Sequence, residues 1–164
     1  MKIRFATQGD LDIIDDIYNH AILTRRSTAD TVPYSRDERE SWFRSHNPAR
    51  YPAFVAVENG VVVGYGSLSA YRPRREALRY AAEVSYFVHP DHHRKGIGSQ
   101  LLLHAIDIAP ACNIKHLVAV LLGNNDASIG LLHKYGFSEW GRLPGIVDFD
   151  GKRVDHLIYG KTIL

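Results

Sequence analysis

Seven consecutive residues carry the strongest chemical signal in this chain: His93-Arg94-Lys95-Gly96-Ile97-Gly98-Ser99. Gly96 and Gly98 permit backbone with positive φ and close approach of a ligand to the main chain. From Gln100 onward the sequence turns apolar and helical, so the turn opens a helix. Free N–H groups at a helix start, at the positive end of its dipole, attract anions, and Arg94 and Lys95 add positive charge. The stretch predicts a site for phosphate or pyrophosphate. It is not a Walker loop, because no lysine precedes Ser99, and position 101 is leucine where a dinucleotide fingerprint needs a third glycine.

Other residue types invite chemistry more weakly. Arg72, Arg74, Arg75 and Arg79 could grip a carboxylate or phosphinate bidentately, and the same run also reads as a solvated face. His89, His92 and His93 stand close together, but no second cluster lies at ligand spacing, so no metal is expected. The lone Cys112 reads as a packed thiol rather than a nucleophile. It excludes an internal disulfide and fits a reducing compartment.

The elements that must position these groups follow from pattern. Lys2 to Ala6 alternates as a half-buried strand, and Thr7 with Asp10 could cap a helix whose apolar positions are Leu11, Ile14, Ile17, Tyr18 and Ala21. Ser35 caps a second helix carrying Trp42 and Phe43, closed at Asn47-Pro48. Asn59-Gly60 turns a hairpin between strands at 53–57 and 61–68. Glu83 to Val88 is a central strand ended by Pro90. A third helix runs from about Gly98 to Ala109, and His116 to Leu122 is apolar enough for burial on both faces. Asn125 to Lys134 is a fourth helix ended by Gly136. Strands at 137–143 and 153–159 finish the chain, joined by a turn at Asp150-Gly151. The order β-α-α-β-β-β-α-β-α-β-β predicts one α/β domain with a mixed central sheet flanked by helices, spanning residues 1–164.

Composition agrees with an ordinary globular protein: 164 residues, 45% hydrophobic and 23% charged. A net charge of +2 with scattered basic residues argues against nucleic acid as a partner. No apolar run approaches ~18 residues and no signal peptide opens the chain, so a cytoplasmic protein without a membrane partner is expected.

With these elements in place, the chain resembles the GCN5-related N-acetyltransferase (GNAT) family. The loop His93 to Gly98 is similar to its Gln/Arg-x-x-Gly-x-Gly/Ala motif, and Asn125-x-x-Ser128 followed by Gly136-Phe137 to its segment after the fifth strand. Ile17-Tyr18-Asn19-His20-Ala21, Tyr71-Arg72-Pro73-Arg74, Glu83-x-Ser85-x-x-Val88 and Gly151-Lys152-Arg153-x-Asp155 resemble the phosphinothricin and methionine sulfoximine N-acetyltransferases.

The resemblance implies an acetyl-CoA-dependent N-acetyltransferase acting by direct attack on the amine of a small amino acid or analogue. The alternatives are an enzyme for another amine, such as a protein N-terminus or polyamine, and a non-catalytic acetyl-CoA-binding module. It implies that Tyr86, Phe87 and Val88 meet the pantetheine and that Arg94, Lys95, Gly96, Ile97, Gly98 and Ser99 hold the pyrophosphate. Asn125 and Ser128 would also touch the cofactor, with a local role as the alternative, one of Asn124, Asn125 and Asp126 serving as a helix N-cap. Glu83 would be the base, with a surface glutamate paired to Arg79 as the alternative. Arg72, Arg74 and Arg75, with Glu83, would bind the substrate. Relatives often dimerise, and Leu157-Ile158-Tyr159 could contribute to a homodimer.

Departures from the pattern matter too. Leu132 stands where relatives carry a tyrosine or histidine that can protonate the leaving thiolate. His156 is a candidate substitute, or an exposed hairpin residue. Ala29 replaces a common aromatic after the first helix, which would reshape the amine pocket. Histidine at 93, for the usual Gln or Arg, should matter less.

Overall fold

The computed structural model describes residues 1–163. The last position of the expected domain, Leu164, lies outside the described residues. The strands are β1 (Lys2–Phe5), β2 (Ala53–Glu58), β3 (Val61–Ala70), β4 (Ala81–Val88), β5 (His116–Leu122), β6 (Ser138–Phe149) and β7 (Lys152–Thr162). The helices are α1 (Leu11–Thr24), α2 (Arg36–Arg44), α3 (Ile97–Ile108) and α4 (Asp126–Lys134). They form the expected α/β order around one mixed sheet, arranged β1-β2-β3-β4-β5-β7-β6. Among the described residues, only β4 and β5 pair in parallel.

Local chemistry sets most boundaries. Asp10 accepts from the Thr7 amide (2.7 Å) and hydroxyl (2.9 Å), fixing the turn that leads into α1. Ser35 and Glu38 form a reciprocal capping box at the start of α2. That helix ends before the expected Asn47-Pro48, because the Ser45 hydroxyl turns back onto the Trp42 carbonyl at 2.6 Å. β6 runs to Phe149 rather than stopping near Leu143. Irregularities after Glu139 and Leu143 keep it paired to β7, and the Gly145 amide donates to Asp155 at 2.9 Å.

Helices cover both sheet faces. Leu101, Leu102 and Ala105 of α3 pack with Leu132 of α4 against one face, while Leu11, Ile14 and Ile17 of α1 pack on the other. Each of these leucine and isoleucine side chains contributes roughly 1.5–3 kcal/mol on burial. β5 is buried on both faces, with Leu117, Val118, Ala119 and Leu121 all inside. Among the described residues, no helix is long and apolar enough to cross a membrane.

One irregularity of the sheet prepares a site. β4 pairs with β5 only from Ala81 to Glu83. Past Glu83, β4 stays with β3 as far as Val88, while β5 follows β7 along its whole length. The two central strands therefore diverge, and β4 is left without a strand partner on that side beyond Glu83.

Candidate active site

Two cavities meet at this fork. The larger, about 730 Å³, lies against Val84–Val88 of β4, Ala119–Leu121 of β5, the loop before α3 and the first turns of α4. The smaller, about 360 Å³, lies between β4 and the α1–α2 side. Ser27, Ser85, Phe87, Val120 and Leu121 line both, so the cavities share a wall at the fork. Alternation along β4 separates the two chemistries. Glu83 faces only the smaller cavity, and Tyr86 only the larger.

The larger cavity holds most of the expected cofactor residues: Tyr86, Phe87, Val88, Arg94, Gly96, Ile97, Gly98, Ser99, Asn125 and Ser128. Lys95 is exposed and does not line it. Arg94 and Gly96 take left-handed backbone, with φ of 63° and 78°. No side chain caps α3, so its first N–H groups open toward the cavity. A Cβ at Gly96 would meet no protein atom within 4 Å. These features fit a pyrophosphate, while the unpaired edge of β4 fits an amide-bearing arm. The His93 Nε2–H donates to the Val88 carbonyl at 2.9 Å, so this histidine braces the loop against β4.

On α4, Asn125 is an N-cap: its Oδ1 accepts from the Ser128 amide at 3.2 Å while the residue lines the cavity. Ser128 Oγ lies 2.6 Å from the Tyr86 hydroxyl. Burial pushes the Tyr86 phenol up to about 12, with the Ser128 hydrogen bond opposing.

The smaller cavity is an aromatic box around a charge. Tyr18, Tyr34, Trp42, Tyr65 and Phe87 line it with Arg39, whose side chain is only 2% exposed. The Arg39 guanidinium lies 4.4 Å from the Tyr34 ring centre and 4.7 Å from that of Trp42, and Nε donates to Asp15 at 2.6 Å. Its Nη2 is buried with no hydrogen-bond partner among the described residues. A buried cation with an unused donor can receive an anionic group.

Glu83 stands in the same cavity without an ion pair among the described residues. Arg79 pairs instead with Glu76, at 3.7 Å. Burial alone pushes the Glu83 carboxyl above the ordinary carboxylate range. His156 joins this wall rather than an exposed hairpin tip, held between Leu122 of β5 and Leu143 of β6.

The arginine loop lies elsewhere. Arg72, Arg74 and Arg75 are exposed and line neither cavity, and the Arg75 side chain donates to the nearby Pro73 carbonyl. Arg39 was the residue that sequence reasoning missed. Its spacing of three from Trp42 on a short helix put both on one face, which was the available signal. Among the described residues, no three His, Cys, Asp or Glu side chains gather to hold a metal.

Comparison with known proteins places this geometry. Residues 14–137 match the model of the Acetyltransferase (GNAT) family. YwnH of Bacillus subtilis is 41% identical, the match covering 99% of each chain. The L-methionine sulfoximine/L-methionine sulfone acetyltransferase of Salmonella typhimurium is 38% identical over 89% of this chain and 85% of its own. The structure of a GNAT superfamily phosphinothricin acetyltransferase from Sinorhizobium meliloti, in complex with AcCoA, superposes with a TM-score of 0.92. It is 30% identical, over 98% of this chain and 87% of that one.

Proposed function

This chain belongs to the acetyltransferase (GNAT) family and is an N-acetyltransferase, and from that premise we propose that it acetylates the amine of a small, acidic amino acid or analogue. Methionine sulfoximine and phosphinothricin are the models, by similarity to the relatives named for them. The observation that carries this reading is the shared wall of the two cavities, with Glu83 on one side and the uncapped α3 loop on the other.

Acetyl-CoA supplies the acyl group already activated as a thioester. The loop from Arg94 to Ser99 holds its pyrophosphate through main-chain N–H groups and the helix dipole, and the free edge of β4 from Tyr86 to Val88 takes the amides of its arm. Asn125 and Ser128 border that arm. Glu83 removes a proton from the incoming amine, directly or through one water, which a raised carboxyl suits near neutral pH. The positive charge of Arg39, on the wall of the aromatic box, attracts the acidic group of the substrate. Arg72, Arg74 and Arg75 remain candidates for steering that anion from outside. The small size of this cavity, about 360 Å³, favours a small amine over a protein N-terminus.

The whole of residues 1–164 is the proposed domain, working in the cytoplasm. A homodimer is proposed through β6, one of the two edge strands, where Trp140, Leu143 and Ile146 are exposed. β7 is flanked by β5 and β6, with Leu157 and Tyr159 buried, so the stretch Leu157–Tyr159 has no free edge to offer. Light scattering reads the dimer, and a monomeric mass refutes it.

The deciding assay is thiol release from acetyl-CoA against a panel of amino acids including methionine sulfoximine and phosphinothricin. Saturable release with an acidic analogue supports the substrate class. Release only with polyamines or peptides removes it, and acetyl-CoA binding without release with any amine points to a binding module.

A further inference from the structure

A thioester that is split at the fork leaves a sulfur whose growing negative charge needs a donor. Leu132 cannot supply one: it is fully buried among core residues and lines neither cavity. His156 and Glu83 stand in the smaller cavity, on the amine side of the shared wall. The titratable groups of the larger cavity are His20, His92, His93, Arg94 and Tyr86. Four of these stand outside the fork: His92, His93 and Arg94 belong to the anion loop, and His20 lies on α1. Tyr86 alone sits on β4 between Ser85 and Phe87, the two β4 residues that line both cavities.

The geometry assigns to the Tyr86 hydroxyl, oriented by Ser128, the role of hydrogen-bond donor to the departing sulfur. The inference rests on the acetyl-transfer reading above. At 2.6 Å either hydroxyl can donate to the other. When Ser128 O–H donates to Tyr86 Oη, the phenolic hydrogen is free to point into the cavity, and each bond polarises the next. The phenol, held near 12, keeps its proton through the reaction. Tyr86 therefore stabilises the thiolate without protonating it. The amine nitrogen bonds to the acetyl carbon, the carbon–sulfur bond breaks with its electron pair on sulfur, the amine proton goes to Glu83, and on release solvent supplies the sulfur's proton and takes up that of Glu83.

The test is an ultraviolet titration of the thiol of CoA bound to the wild type and to Tyr86→Phe, beside steady-state kinetics. Expected are a bound thiol that ionises about tenfold more readily in the wild type, and a kcat lowered ~10–100-fold in the variant at unchanged acetyl-CoA Kd. A merely structural tyrosine would leave the thiol titration untouched. Ser128→Ala, which keeps Tyr86 in place, should shift both readouts the same way by less. Equal titrations and equal kcat, with CoA bound to both proteins, overturn the inference. A wild type that turns over no amine and binds no CoA overturns the transferase reading, and the inference with it.

Discussion

At Glu83 one cause, burial, decides both chemistry and stability. With no cation beside it among the described residues, desolvation holds the carboxyl above the ordinary range. A base must be deprotonated to act, so kcat/KM should rise with pH through that raised value rather than through the usual carboxylate range. The folded-state value exceeds the unfolded one, so the group contributes stability below the unfolded pKa and loses it as pH rises through the folded pKa. Glu83→Gln removes that loss. The variant should match the wild type in acid, melt higher at neutral pH, and lose ~10²-fold or more in kcat while still binding CoA. Calorimetry across pH with parallel kinetics checks both halves. A variant with full turnover shows that Glu83 is not the base. Asp10 has the opposite sign: the Arg4 guanidinium, at 2.7 and 2.8 Å, holds its carboxyl at about 2. Its contribution is therefore present above the ordinary carboxylate value of 3.8 and lost as pH falls toward 2.

At the scale of elements, helices and strands were legible because each carries its own period and its own punctuation. Ser35 with Glu38, Asn59-Gly60 and Gly136 fix their turns by local hydrogen bonding or positive φ, and these depend on nothing distant. The turn that opens α3, with positive φ at Arg94 and Gly96, was legible for the same reason. The arginine fork was not, because the direction of an exposed loop is set by contacts that leave no periodic trace in sequence. Arg39 was hidden by the rule that charged residues stay outside, a rule that its aromatic cage and Asp15 suspend. Gly64 shows how strongly an element's place depends on one absent side chain. A Cβ there would come within 2.9 Å of the Phe87 carbonyl, 3.1 Å of Leu101 and 3.2 Å of Ile97, the first residue of α3. Gly64→Ala should therefore push α3 outward, costing about 1–3 kcal/mol by overpacking. Because the loop proposed to hold the pyrophosphate opens α3, acetyl-CoA affinity should fall together with the urea midpoint. Affinity unchanged at reduced stability would show that the loop is held independently of the α3–β3 contact.

Across the whole molecule, the question is whether the acetyl group passes directly between substrates or rests on the protein. A resting place needs a nucleophile that can reach the acyl donor. Cys112 cannot, since it is buried, lines neither cavity, and burial raises its thiol pKa. Ser69 is a more serious candidate. Its hydroxyl lies 3.3 Å from His46 Nε2, and His46 Nδ1 bonds the Trp42 carbonyl at 2.7 Å, which fixes the tautomer with Nε2 as acceptor. Burial holds His46 below its ordinary value, so it is neutral near pH 7 and free to accept. Yet Ser69 lines only the smaller cavity, on the side proposed for the amine, whereas the acyl donor is proposed to lie in the larger one. The shared wall at Ser85 and Phe87 lets both substrates be present together, so the sheet itself argues for direct transfer. Double-reciprocal plots should intersect, and mass spectrometry after mixing with acetyl-CoA alone should show no acetylated protein. Ser69→Ala should keep kcat within about threefold, since it removes a hydroxyl from the box but no reacting group. Parallel lines with a trapped acetyl group on Ser69 would reverse the assignment, making the Ser69–His46 pair the first acceptor and Glu83 its accessory.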